Sequence, residues 1–141
     1  QLDQLISDDQ KLQEKHTLLK SVKGIGDEVA TTLVAQLPEL GHISREAISH
    51  LVGVAPQTND SGKKRGYRPI SNGRNSVRKA LYMSALVAVQ HNQRMKLFYQ
   101  KLLLQGKLKK VALVAVIRKM LIMINAIVKN GTTWEASKNL A

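Results

Sequence analysis

From Leu108 to Lys129 the chain is almost continuously apolar, and this run constrains the fold more than any other feature. It is far longer than an ordinary strand, and glycines at 106 and 131 punctuate both ends, so it reads as a helix. Arg118, Lys119 and Asn125 interrupt residues 111–128, which on this count fall short of the roughly 18 apolar residues of a membrane span. The expectation is a core helix, and a core helix needs other helices to cover it.

Those helices are legible. Residues 74–91 open on Arg74, Arg78 and Lys79 and turn apolar on all sides from Ala80 to Val89, the pattern of a second buried helix. Residues 94–105 are amphipathic and stop at Gly106. Ser44, followed by Ala47 and Ile48, caps a short helix that runs to Gly53. Val29, Ala30, Leu33, Val34 and Leu37 recur at helical spacing behind Gly24-Ile25-Gly26, with Asp27 and Glu28 suited to a helix start and Pro38 and Gly41 closing the segment. Leu2, Leu5, Leu12 and Leu19, with Asp9 and His16 on the same seam, give the first twenty residues a coiled-coil pattern; packing on the same chain and pairing with a partner helix both fit it. Aromatic residues are only 4% of the chain, which argues against a β-sandwich core and against base-stacking platforms.

The predicted class is therefore all-α, with residues 1–20 as the end of a coiled-coil or linker helix, 21–134 as one domain and 135–141 as a tail. A helix-hairpin-helix element is expected near 18–37, and an irregular basic loop or small hairpin over 55–73, where Pro56, Gly62, Gly66, Pro69 and Gly73 break any period. A chain of 141 residues can bury one real core, and zero cysteine removes disulfide scaffolds, cysteine zinc sites and thiol nucleophiles, as suits a reducing cytoplasm. The opening Gln1-Leu2-Asp3 has neither an initiator Met nor a signal peptide and reads as an excised piece of something longer.

Charge divides the chain. Residues 1–60 carry five cations against nine acids, a net of −4, whereas residues 61–134 carry sixteen cations and no carboxylate. A segment of that kind cannot screen itself by internal salt bridges, so its field calls for an outside polyanion, nucleic acid first. A membrane surface fits less well, because the apolar segments are long and suited to a core.

Three constellations could carry chemistry. In Lys23-Gly24-Ile25-Gly26, small residues between two helices let backbone N–H groups approach a phosphate, although Asp27 and Glu28 oppose one and a purely structural hairpin fits equally. In Ser61-Gly62-Lys63-Lys64-Arg65, with Arg68 close behind, a serine could attack a phosphodiester while cations stabilise the transition state, yet Asp60-Ser61-Gly62 is also ordinary turn sequence. Arg74, Arg78 and Lys79 crowd a helix start, where cations oppose the helix dipole unless an external anion is present; a solvated helix start is the alternative. Clustered carboxylates for a metal nuclease are missing from the basic half, and the four histidines have no ligand spacing, so no metal site is expected in this chain. His91-Asn92-Gln93-Arg94 with Tyr99 has the residue types of a tyrosine recombinase, but the tyrosine follows too closely.

Five blocks in order carry a resemblance: Val22-Lys23-Gly24-Ile25-Gly26, Leu51-Val52-Gly53-Val54-Ala55-Pro56, Ser61-Gly62, the run from Lys64 to Leu81, and Ala112 through Arg118-Lys119-Met120-Leu121. Over about residues 17–134 the chain resembles the C-terminal transposase domain of the insertion-sequence "one-ten" class, the bridge-RNA-guided recombinases that include the pilin-gene invertase. The resemblance implies that Ser61 is a nucleophile forming a covalent phosphoserine link to DNA. It implies that magnesium is held by a carboxylate set in an N-terminal RuvC-like domain, with no cofactor in this part of the protein. Its implied partners are DNA, a guide RNA and further copies of the chain, as a dimer or tetramer through the coiled coil, in a bacterial or archaeal cytoplasm. The residues expected on nucleic acid are then Lys23, Gly24, Gly26, Lys63, Lys64, Arg65, Arg68, Arg74, Arg78 and Lys79. One departure is Lys23, where family members usually have proline before Gly-Ile-Gly. A non-catalytic nucleic-acid-binding helical module is the reading to set against the recombinase.

Overall fold

The structure is a computed structural model describing residues 2–55 and 72–134. Those residues form six helices: α1 (Leu2–Lys20), α2 (Asp27–Gln36), α3 (Arg45–Val52), α4 (Asn72–His91), α5 (Gln93–Leu104) and α6 (Lys109–Asn130). No strand occurs among the described residues, so the class is all-α as the sequence predicts. The irregular basic loop or hairpin expected over 55–73 lies almost wholly outside the described residues.

Helix α6 is the axis of the fold, touching α1, α3, α4 and α5. Val116, Leu121 and Ile124 on α6 are fully buried beside Leu19, Leu33, Ile48, Leu81 and Met95 from the surrounding helices. Each such side chain contributes about 1.5–3 kcal/mol through removal from water. By length and composition α6 is apolar enough to cross a membrane, with a mean hydropathy of 2.2, which corrects the expectation that its interruptions exclude it. Half of that apolar window is buried against the other helices, the place expected of a core helix.

The reason α6 carries Asn125 is local. Its buried side chain accepts from the Gly41 N–H at 2.7 Å and donates to the Ile43 carbonyl at 3.0 Å, clamping the turn between α2 and α3. A buried backbone turn needs such partners. Gly41 has φ +90°, and a Cβ there would stand 2.5 Å from Val128 Cγ1, so only glycine lets the turn press this close to α6. Ser44 caps α3 as expected, its hydroxyl accepting from the Ala47 N–H at 3.1 Å, and Gly53 ends that helix in the left-handed conformation.

Two helices depart from expectation. Helix α4 is apolar on all sides over Ala80–Val89, yet only one side is buried, through Leu81, Ser84, Ala85 and Ala88. Tyr82, Met83, Leu86 and Val87 are exposed, because α2, α3, α5 and α6 cover α4 from one side only. Helix α1 leaves its coiled-coil seam open: Leu19 is buried in the core, whereas Leu2 and Leu5 are 70% and 66% exposed and Leu12 is also exposed.

Candidate nucleic-acid interface

The hairpin and the start of α4 are the two described places where phosphate contacts are expected, and both are built around α4. Ser84 donates to the Gly24 carbonyl at 3.0 Å, and the buried Asn92 donates to the Lys23 carbonyl at 2.9 Å while capping α5 through the Met95 N–H. Gly24 has φ +115°, and a Cβ on it would lie 3.0 Å from Ala88 Cβ and 3.3 Å from the Ser84 carbonyl oxygen. This glycine is therefore required by packing, whatever else it does. Gly26 differs: its backbone is extended, it sits at the N-cap of α2, and an added Cβ would meet nothing within 4 Å.

In front of the hairpin lies an open concavity of about 1030 Å³, bounded by residues 24–29, Thr31 and Thr32 and by Met83, Ser84 and Val87 of α4. No side chain caps the start of α2, which carries the partial positive charge of a helix N-terminus. Asp27 there is paired with Lys20 at 3.5 Å and with His16 at 3.4 Å. The carboxylate that opposes an anion thus has a counter-cation, while Lys23 is exposed at the rim.

At the start of α4 the three expected cations have different tasks. Arg74 forms a bidentate pair with Glu39, at 2.7 Å and 3.1 Å, and also donates to the Gln36 carbonyl at 3.3 Å. Hydrogen bonding from Arg74 holds the Glu39 carboxyl below its ordinary value of 4.5, with the nearby Lys15 ammonium adding to the effect. Arg74 is thereby tied to the α2–α3 turn, so the basic segment is not wholly unscreened as its own composition suggests. Arg78 lies across Gly53 and donates to Asn75 Oδ1 at 3.2 Å, and Lys79 is exposed. Arg78 and the hairpin's contact at Ala88 are ten residues apart on α4, about 15 Å along the helix, so the structure keeps these places separate.

Ser61, Lys63, Lys64, Arg65 and Arg68 lie outside the described residues. The described chain stops at Ala55, just beyond Val54, and resumes at Asn72, and Arg78 bridges the α3 end to the α4 start. Among the described residues no three His, Asp or Glu side chains are grouped so as to hold a metal ion.

Sequence reasoning missed a second set of cations. Arg94 lies over the Trp134 ring at 5.8 Å, and Lys119 over the Phe98 ring at 4.5 Å, on the seam of α5 and α6. Burial lowers the Lys119 pKa from its usual value, and repulsion from Arg94 and Lys101 lowers it further. Lys107, Lys109 and Lys110 crowd the start of α6, all exposed. The dipole argument applied to α4 would have found them, because two of them occupy the first turn of α6. Of the twelve cations from residue 72 to residue 134, Arg74 alone is ion-paired with a described residue.

The sequence model described as "Transposase IS116/IS110/IS902 family" matches residues 16–100. The chain belongs to this transposase family. No curated protein matches it. The matched span of this transposase begins in the last turns of α1, includes the hairpin, α2, α3 and α4, and ends within α5. Both expected phosphate-facing places fall inside it, in a protein of a DNA-acting family.

Proposed function

We propose that this chain is the DNA-handling and nucleophile-bearing part of the transposase, acting by attack of Ser61 on a DNA phosphodiester. The observation that carries the reading is the acid-free stretch 61–134, in which eleven of the twelve cations beyond residue 71 have no ion pair with a described residue. Cations left in that state favour a polyanion with closely spaced charges.

In this reading Ser61 Oγ forms a bond to phosphorus as the bond from phosphorus to one deoxyribose oxygen breaks, leaving a phosphoserine ester and a free DNA end. The hydroxyl gives up its proton, and the departing sugar oxygen gains one. Lys63, Lys64, Arg65 and Arg68 neutralise the charge that develops on the phosphoryl oxygens, and electrostatic stabilisation of that kind lowers the barrier to phosphoryl transfer more than any other contribution of the protein. Arg78, Lys79 and Lys23, with the open backbone at Gly26 in the turn that Gly24 shapes, hold flanking phosphates and set register without reading sequence. Arg74 acts through its pair with Glu39, fixing the first turn of α4 from which Arg78 and Lys79 project. Magnesium, as the resemblance implies, is held by a RuvC-like domain. Guidance by RNA, as the resemblance implies, supplies the sequence specificity that phosphate contacts alone do not carry. Copies associate through α1, and the protein works in the bacterial or archaeal cytoplasm.

The test is a full-length transposase carrying Ser61→Ala, incubated with a nicked suicide substrate. The wild type is expected to leave a protein–DNA adduct that survives denaturation, and the variant none. An undiminished adduct in the variant would assign the nucleophile elsewhere, and binding without any adduct in either protein would favour the non-catalytic module.

A further inference from the structure

Helices α5 and α6 carry cations that the fold itself does not neutralise. Arg94, Phe98 and Lys101 recur at helical spacing and share one face of α5, and Lys119 of α6 reaches across to that face, its ammonium 4.5 Å from the centre of the Phe98 ring. Arg94 lies over Trp134 at 5.8 Å, and Trp134 is itself buried and anchored by its N–H to the Ser21 hydroxyl at 2.9 Å. The two rings therefore hold two of the three cations in place, with their flexible stems already ordered. Burial lowers the Lys119 pKa from its usual value, and repulsion from Arg94 and Lys101 lowers it further, so the three charges stand close enough to oppose one another. None of the three has an ion pair among the described residues. Like charges gathered in this way, one of them partly out of water, cost free energy until an anion joins them.

We propose that the outer seam of α5 and α6 is a second nucleic-acid site, holding one phosphodiester backbone while the hairpin and the start of α4 hold another. This deepens the reading of the chain as DNA-handling and rests on it, but it does not depend on Ser61. From Arg94 to the end of α5 at Leu104 the seam runs about 15 Å, the length of four or five base-pair steps at about 3.4 Å each. Beyond it the exposed Lys107, Lys109 and Lys110 carry the positive strip round the turn into α6. Cations spread along such a length with no carboxylate among them suit a polyanion of uniform, closely spaced charge better than an acidic protein, whose carboxylates are unevenly placed. Contacts of this kind read phosphate, in DNA or in RNA. Lys101 and Lys119 lie past residue 100, where the family match ends.

Topology sets the two sites apart. Helix α2, which follows the hairpin, packs on α1 and α4, whereas α5 packs on α4 and α6. The buried Met95, Val116 and Met120 fill the inner side of the α5–α6 pair, so the half-buried Phe98, Arg94 and Lys119 lie on its outer side, turned from the core that α4 shares. The sites approach each other at the start of α5, where Asn92 donates to the Lys23 carbonyl at 2.9 Å. A chain occupied at both would carry two backbones at once.

The test counts sites. The chain is titrated at low salt with a fluorescent DNA duplex of about ten base pairs, and separately with an RNA duplex of the same length, each at concentrations high enough to read an endpoint per chain whatever its oligomeric state. The expected endpoint is two duplexes per chain. Arg94→Gln, Lys101→Gln and Lys119→Met together, the last keeping an unbranched side chain on Phe98, should leave one duplex per chain, bound as tightly as the wild type binds its first. Arg78→Gln with Lys79→Gln should weaken the other equivalent and spare that of the seam. The probe that loses an equivalent in the triple variant names the nucleic acid held there. If the triple variant loses its helical circular dichroism, Lys101→Glu at an exposed position replaces it, and the second equivalent should weaken about tenfold. One duplex per chain in the wild type, two in the triple variant, or both sets of substitutions acting on the same equivalent would overturn the second site and leave the DNA-handling reading intact. A wild type that binds neither duplex would overturn that reading as well.

Discussion

Gly24 and Gly26 are two residues apart in one motif, yet the structure gives them opposite sensitivities. Gly24→Ala must hold alanine at φ +115°, a backbone state that costs about 1–3 kcal/mol, and its Cβ meets Ala88 Cβ at 3.0 Å and the Ser84 oxygen at 3.3 Å. Neither neighbour can swing away, since one is the short side chain of a helix interior and the other is backbone. Overpacking of that kind costs a further 1–3 kcal/mol or so, for a total of about 2–6 kcal/mol. At a few degrees per kcal/mol for a chain of this size, the melting temperature should fall by roughly 6 °C or more. Gly26→Ala has free space and an extended backbone. Its small loss as an N-cap, about 0.5 kcal/mol, is offset by a less flexible unfolded chain, so stability should stay within about 0.5 kcal/mol. Thermal unfolding followed at the helical circular dichroism band, beside duplex binding, separates the two. A Gly24→Ala variant that melts with the wild type would refute the packing account. So would a Gly26→Ala variant that unfolds as easily as Gly24→Ala.

Two further substitutions probe the support beneath the interface. Glu39→Gln removes the charge that holds Arg74, and because solvent reaches both side chains the loss near pH 7 should be about 1 kcal/mol. Glu39 is depressed in the folded state, so its contribution is complete above its unfolded value, near 4.5, and disappears as pH falls through the lower folded value. Urea titrations across that acid range should show a shallower loss of stability in Glu39→Gln than in the wild type. Asn125→Leu leaves the Gly41 N–H and the Ile43 carbonyl without partners and should cost about 2–4 kcal/mol, although it makes α6 more apolar. An Asn125→Leu protein at least as stable as the wild type in urea would show that the clamp contributes nothing.

What the sequence made legible was mostly local. Helical spacing, the Ser44 cap and the glycine stops depend on residues a few positions apart, and each helix lies within a residue or two of its expected span. The errors were long-range. Asn125 looked like an interruption because its partners, at residues 41 and 43, are more than eighty positions away. Arg74 looked available for phosphate because Glu39 belongs to the acidic front of the chain, and composition by halves cannot register a pair across them. The apolar circumference of α4 suggested full burial, but how many sides of a helix are covered depends on how many neighbours the topology supplies. The α5–α6 cations were visible as residues, and what hid them was the absence of a motif to draw attention to them.

The central claim is that the acid-free half meets a polyanion through phosphates, and the salt dependence of binding tests it most directly. Titration of the chain with duplex DNA of unrelated sequences, over about 50–200 mM salt, should give a log–log slope near −5, as about six phosphate contacts require, with little dependence on sequence. A slope near zero, or binding so weak that none is measurable at the low-salt end, would contradict the account.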